Sequence, residues 1–274
     1  MIEADLIESE DMDLLLSEIA LIYGYDFSQY SKASLRRRIS RICVMDRFAS
    51  VAALRHRVTN DAAYLQRFIE EVTVNVTAMF RDPSFYLSLR TDVLPRLASY
   101  PLIRVWIAGC STGEEAYSLA MLLKEAGLYH KSLVYATDIN PGALERASGG
   151  IYPLSQMNQY AENYMLAGGK GDFSGYYAAG SDAVKFDPGL TARIIFSTHN
   201  LVSDSSFNEF QLILCRNVLI YFDKDLQNKV FRLFDESLQS LGYLALGSKE
   251  TVRFSALERR YLQLNEEKIW KKLK

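Results

Sequence analysis

Only three cysteines and three histidines occur in the 274 residues. Cys43, Cys110 and Cys215 lie far apart and form no Cys-x-x-Cys pair, so the sequence indicates neither a disulfide framework nor a zinc site. His56, His130 and His199 show no metal-ligand spacing, and no metal is expected. No apolar run approaches the ~20 residues that span a bilayer. The opening MIEADLIESEDMD is acidic and lacks the basic and apolar blocks of a secretory leader, which points to the cytoplasm. An excess of charge of one sign is also missing: Lys and Arg total 31, Asp and Glu 33, and the net charge of −2 gives no global pull toward nucleic acid. Internal repeats and low-complexity segments are absent. What remains is a soluble globular composition, 49% hydrophobic and 23% charged, in a chain long enough for a small and a medium core.

The first seventy or so residues read as a small all-α domain, set at 1–73. Met12, Leu15, Leu16, Ile19 and Tyr23 share one helical face that Gly24 ends. A second helix from about Ser34 carries Leu35, Ile39, Ile42 and Cys43 on its apolar side. Arg37 and Arg41 point away from that stripe and Arg36 and Arg38 flank it, with no acid from Phe27 through Met45. Such a face is either simply solvated or a docking surface for an acidic partner. Ser50 and Asp61 are N-caps for two further helices, the latter with Tyr64, Leu65, Phe68, Ile69 and Val72.

Residues 74–274 read as one α/β domain, with a joint over 74–83. Asp82 and Pro83 form an N-cap and N1 pair opening a helix to about Leu97. Arg104 to Leu123 is strand, glycine turn and helix: Val105 to Ala108 is apolar, Gly109 and Gly113 bracket a polar loop, and Ala116, Leu119, Ala120 and Leu123 recur at helical spacing. Leu133 to Thr137 is a second strand. It ends at Asp138, about 25 positions after Gly113, near the spacing at which a doubly wound sheet sets an acid beside ribose hydroxyls. Asn140 and Pro141 start the next helix. From Ile151 to Leu190 glycine and tyrosine rise, and Tyr176 to Ala178 and Ala183 to Phe186 read as strands of a small antiparallel insertion, placed at about 153–190. The alternation resumes with Arg193 to Thr198 and Phe210 to Cys215. Asp223 then caps a helix that Gly242 stops, Tyr243 to Gly247 is a strand, and Tyr261 to Leu273 forms a terminal hairpin.

Ligands of open α/β sheets bind beyond the carboxyl ends of the strands, which collects Gly109 to Glu115, Asp138, Asn200 with Leu201, and Arg216, Asn217 and Tyr221. The glycine loop lacks the Gly-x-Gly-x-x-Gly fingerprint and a P-loop lysine. Glu114 and Glu115 at its helix would repel a pyrophosphate. They suit a ligand presenting a cation, such as the ammonium of an S-adenosylmethionine tail. A capping box, with Thr112 as N-cap and Glu115 at N3, is the alternative account of Glu115.

Four blocks in order, Asn75-Val76-Thr77-Ala78-Met79-Phe80-Arg81, Ser111-Thr112-Gly113-Glu114-Glu115 with Tyr117-Ser118, Ala136-Thr137-Asp138-Ile139, and Cys215-Arg216-Asn217-Val218-Leu219-Ile220-Tyr221-Phe222, resemble the CheR family of chemotaxis receptor protein-glutamate O-methyltransferases. Ala116 stands where that family commonly has proline, and Gly247-Ser248-Lys249-Glu250 approximates its Gly-His-Ser-Glu stretch. The resemblance implies a class I (Rossmann-like) S-adenosylmethionine-dependent methyltransferase domain with an inserted antiparallel β-subdomain, preceded by a small all-α domain. It implies that Asn75, Thr77, Arg81, Gly109, Glu115, Asp138, Asn200, Leu201, Arg216 and Asn217 contact S-adenosylmethionine or its product S-adenosylhomocysteine. Asp138 would take the ribose, Glu115 the amino-acid end, and Asn200 with Leu201 the adenine region. Arg81 and Tyr221 would orient the acceptor carboxylate, and Arg36, Arg37, Arg38 and Arg41 would dock a chemoreceptor's cytoplasmic helical bundle. A monomer is expected. A non-catalytic S-adenosylmethionine-binding signalling module is the alternative. A nicotinamide oxidoreductase is disfavoured by the missing third glycine, and a nucleic-acid methylase by the charge balance.

Overall fold

The computed structural model describes residues 9–73 and 76–274. In the first unit, α1 (Ser9–Tyr23) buries Met12, Leu15, Leu16 and Ile19, the i, i+3, i+4, i+7 stripe of an amphipathic helix. α2 (Lys32–Met45) buries Leu35, Ile39, Ile42 and Cys43. Ser50 caps α3 (Val51–Asn60) by accepting from Ala53 N–H, and Asp61 caps α4 (Ala62–Val72) by accepting from Ala63 and Tyr64. The four helices close over Phe27, Leu54 and Phe68. Asp46, just past α2, receives two Arg67 hydrogen bonds (2.9 and 2.7 Å) and the Tyr64 hydroxyl, tying α2 to α4.

This unit comprises Met1–Val74 together with Leu219–Val230. The boundary expected at 73/74 therefore leaves a later segment on the helical side. There Tyr221 O accepts from Ser31 N–H (2.8 Å), Asp223 N–H donates to Gln29 O (3.0 Å), and Phe222 meets Tyr30 edge to face at 4.8 Å.

The second unit is Asn75–Val218 with Phe231–Lys274. α5 (Pro83–Ser88) runs into a π-helical turn, Leu89–Val93, and then α6 (Leu94–Leu97), where one continuous helix was expected. Pro95 has no N–H to offer Thr91, and Leu94 N–H reaches back to Leu89 O instead. β1 (Ile103–Ala108), α7 (Glu114–Glu125), β2 (Ser132–Asp138) and α8 (Pro141–Gly149) follow. The insertion contains β3 (Ile151–Pro153), α9 (Met157–Leu166), β4 (Tyr177–Ala179) and β5 (Ala183–Phe186), the strands pairing antiparallel in the order β3-β5-β4. The strands match the expected small sheet; α9 does not, because Met157, Tyr160 and Tyr164, its buried face, give only a short helical stripe.

The chain continues through β6 (Ile194–Thr198), β7 (Phe210–Cys215), α10 (Lys224–Ser237), β8 (Leu238–Leu246), β9 (Tyr261–Gln263) and β10 (Ile269–Lys272). α10 ends at Ser237 rather than at Gly242, since Leu238 is drawn into the ladder opposite Phe210. The sheet order is β6-β2-β1-β7-β8-β10-β9, parallel except for the last two pairings. Successive strands run outward in opposite directions from β1 and β7, which makes the gap between them the topological switch point. No helix among the described residues is long and apolar enough to cross a membrane.

Arg67 holds the Asp46 carboxyl below its ordinary value, against the opposing effect of burial and with help from Tyr64. A depressed folded value means that this stability is present above the unfolded carboxyl value, ~3.9, and is lost as pH falls through the folded one. Denaturant midpoints of Asp46→Asn should be lower than wild type near neutrality and converge with it below about pH 4; a constant gap down to pH 2 would rule out the linkage.

Candidate active site

The carboxyl ends of four parallel strands carry the residues that flank the switch point. After β1 the chain turns through Gly109 (φ +81), Ser111 (φ +50) and Gly113 (φ +96). Gly109 and Cys110 N–H both donate to Thr137 O (2.8 and 2.9 Å), which fixes the turn to the end of β2. A Cβ on Gly109 would stand 2.4 Å from Val218 Cγ2, so glycine is required both for the left-handed backbone and for the close approach. Buried Asp138 ends β2. Its Oδ2 accepts from Ser111 N–H (2.8 Å) and its Oδ1 from Asn140 N–H (2.9 Å). Burial pushes this carboxyl above its ordinary value while the N–H groups of Asn140, Ser111 and Ile139 pull it back. Beyond β6, His199 N–H donates to Asp138 O (3.2 Å), bringing Asn200 and Leu201 to the same edge. The Asn200 carboxamide oxygen accepts from Val202 N–H (2.9 Å), and the Asn200 main-chain N–H donates to Asp204 (2.9 Å).

Arg216 follows β7 with its side chain 3% exposed. It pairs with Glu115 (2.9 Å) and Asp82 (2.7 Å), donates to Arg81 O (3.1 Å), and lies 4.0 Å from the centre of the Phe85 ring. Burial pulls the guanidinium down, but Glu115, Tyr86 and Asp82 outweigh it and the net shift is upward. Burial pushes the Glu115 carboxyl up, with Arg216 opposing. The arginine governs the pair, because a guanidinium does not lose its proton in proteins and Glu115 therefore faces a permanent cation. The next residue, Asn217, sits at φ +60. Its N–H (3.0 Å), that of Val218 (2.9 Å) and that of Gly247 (2.6 Å) all donate to the buried Glu250 carboxylate, which locks the end of β7 to the end of β8. Arg81 lies between two more left-handed residues, Phe80 (φ +52) and Asp82 (φ +59). Bulky residues persist in that region only where their surroundings over-determine them, which is characteristic of functional sites.

The structure thus brings Arg81, Glu115 and Arg216 together, sets Gly109, Asp138, Asn200 and Leu201 along the adjoining strand ends, and shapes Asn217 into the β7 turn. Thr77 is half-buried on the approach to Arg81; Asn75 lies outside the described residues. The capping-box account of Glu115 fails: Gly113 is the N-cap of α7, Thr112 Oγ1 donates to Glu114 (2.7 Å), and Glu115 goes to Arg216. Asp82 likewise makes no side-chain cap on α5 and is spent on the same arginine. Tyr221 and the α2 arginines belong to the helical unit. Arg37 and Arg41 are exposed, whereas Arg36 donates to Ser9 Oγ (2.7 Å) and Arg38 to the Glu71 and Thr73 carbonyls (3.3 Å each). Sequence reasoning missed Asp82, Phe85 and Glu250 as site residues. The one available signal was an acid three residues beyond a strand-ending glycine, Gly247 to Glu250.

Residues 75–267 match the family described as CheR methyltransferase, SAM binding domain, and residues 10–73 match CheR methyltransferase, all-alpha domain. A Pseudomonas putida protein that carries the name methyltransferase Cher3 is 48% identical over 251 residues, 92% of each chain. Chemotaxis protein methyltransferases of Listeria monocytogenes and Salmonella typhimurium are 34% and 35% identical, over 84% and 83% of this chain and 85% and 76% of theirs.

The residues present fit S-adenosylmethionine. Arg216 Nε is buried without a hydrogen-bond partner, and together with Glu115 it offers a cation and an anion for a zwitterionic amino-acid end. The Asp138 carboxylate, with four lone pairs and three main-chain donors, keeps acceptor capacity for a ribose hydroxyl. Gly109→Ala should destabilise the second unit by ~1–2 kcal/mol from the left-handed backbone alone, displace Val218, and weaken S-adenosylhomocysteine binding. Chemical denaturation and calorimetric titration check this; a variant with wild-type midpoint and affinity would show that the glycine is not required.

Proposed function

Because the chain belongs to the CheR methyltransferase family, we propose that it methylates glutamate side-chain carboxylates of chemoreceptor signalling proteins, giving methyl esters and S-adenosylhomocysteine. The observation that carries this reading is the buried Arg216, clamped by Glu115 and Asp82 at the switch point of a sheet whose neighbouring strand ends in Asp138. The names of the Listeria and Salmonella relatives support the chemotactic, protein-directed half of it.

When bound, the cofactor supplies an electrophilic methyl group on a sulfonium. Asp138 holds the ribose hydroxyls, Glu115 the ammonium, and Asn200 and Leu201 the adenine region, with Asn75, Thr77, Arg81, Gly109, Arg216 and Asn217 completing the contacts. An acceptor glutamate is already ionised near neutrality, since its reference pKa is ~4.3. The protein therefore needs no strong base and acts mainly by alignment and by excluding water. Arg81 and Tyr221 orient the acceptor carboxylate, one by a charge-assisted hydrogen bond and the other by a neutral one. Arg37 and Arg41, exposed on α2, give an acidic helical bundle a cationic face to dock on.

Two outcomes are expected with tritiated methyl donor and receptor-rich membranes. Arg81→Ala and Tyr221→Phe should each lower turnover at least tenfold, and base-labile methyl esters should map to receptor glutamates; wild-type turnover in both variants would remove those roles, and label in another linkage would remove the glutamate reading. Arg37→Glu with Arg41→Glu should slow transfer about tenfold at low ionic strength and less at high, with S-adenosylhomocysteine affinity unchanged. Equal losses in transfer and in cofactor affinity would count against docking through α2.

A further inference from the structure

The turn that carries Arg81 is held by the insertion as well as by the main sheet. Met79 C=O and Phe80 N–H belong to one peptide unit. The carbonyl accepts from Asn163 Nδ2 of α9 (3.0 Å), and the N–H donates to Ser118 Oγ of α7 (2.9 Å). That plane is gripped at both edges. Its orientation sets φ of Phe80, and rotating it would let Phe80 leave the left-handed region, turning Arg81 and Asp82 away from Arg216. The ring of Phe80 is also seated from the insertion side, edge to face on Tyr164 at 5.3 Å. Tyr164 is fixed in turn: its hydroxyl accepts from Gly171 N–H (3.0 Å) and donates to Glu125, whose carboxylate also takes Tyr176 (3.1 Å) and pairs with Arg90 (2.7 Å). On the α7 side, Ser118 Oγ donates to Glu114 O (2.7 Å), in the helical turn that contributes Glu115 to Arg216.

We propose that Asn163 and Tyr164 of the inserted subdomain are positioning residues for the methyl-transfer site, acting through the Met79–Phe80 peptide plane on Arg81. The insertion is then a structural member of the cofactor site, and occupancy of the insertion by any partner is coupled to the Arg81 turn. The inference rests on the assignment of Arg81 to the cofactor, and it concerns this chain's own residues whatever protein accepts the methyl group.

The experiment is a double-mutant cycle read by calorimetric titration with S-adenosylhomocysteine. Asn163→Leu removes the donor at similar size and should weaken binding about tenfold, the scale of one hydrogen bond withdrawn from a strained turn. Asn163→Asp, a second variant in case the first folds poorly, should do the same. Asn158→Ala, on the exposed side of α9, should bind as wild type. In an Arg81→Ala background, Asn163→Leu should add less than it does alone, because the Arg81 side chain is already gone while the position-81 carbonyl and Asp82 still reach Arg216. Full additivity, or wild-type affinity in both Asn163 variants, overturns the proposal and leaves α9 as packing. Wild-type affinity in Arg81→Ala alone overturns the assignment of Arg81 and the inference with it, so the two failures are distinguishable.

Discussion

A guanidinium taken out of water is the constraint to which the second unit is built. Arg216 is nearly inaccessible, and an uncompensated buried cation would cost several kcal/mol. Compensation has to come from the start of α7, through Glu115, and from the turn after Phe80, through Asp82 and the Arg81 carbonyl. Two segments, 101 and 134 positions before it in the chain, are thereby brought to the end of β7. The left-handed residues Phe80, Asp82, Ser111 and Asn217 stand along these same segments, where satisfying the charge and the carboxylates of Asp138 and Glu250 dictates the backbone.

The main architecture was legible because periodicity is a local property. The β-strands Ala183–Phe186 and Phe210–Cys215 were bounded as the structure has them, and Ser50, Asp61 and Asn140 were identified as caps. Misreadings arose where a tertiary partner outbid a local one. Asp82 looked like a cap because it precedes Pro83, and a cap was the alternative for Glu115 because it stands three residues after Thr112; both side chains go instead to an arginine more than a hundred residues away. The early end of α10 at Leu238 has the same origin, in pairing with β7, whereas the π-helical turn before Pro95 comes from a donor missing within the helix itself.

Within the site, strand-end positions were legible and second partners were not. Asp138 and Arg216 follow strands whose sequences announce themselves, so their place at the switch point could be read. Glu250 could be recognised only as part of an approximate motif. Its three main-chain donors come from Gly247, Asn217 and Val218, and no spacing in the sequence reveals that they converge.

Two of the three cysteines adjoin these loops, Cys110 after Gly109 and Cys215 before Arg216, and both are buried. A thiolate is a better methyl acceptor than a carboxylate, and a chain that binds a methyl sulfonium among ionised cysteines would alkylate itself. Burial, reinforced by Asp138 and Glu115 at one thiol and by Glu250 and Glu115 at the other, pushes both well above the ordinary thiol value. Burial, with the acids that shape the site, thus favours the neutral form of the two thiols beside these loops.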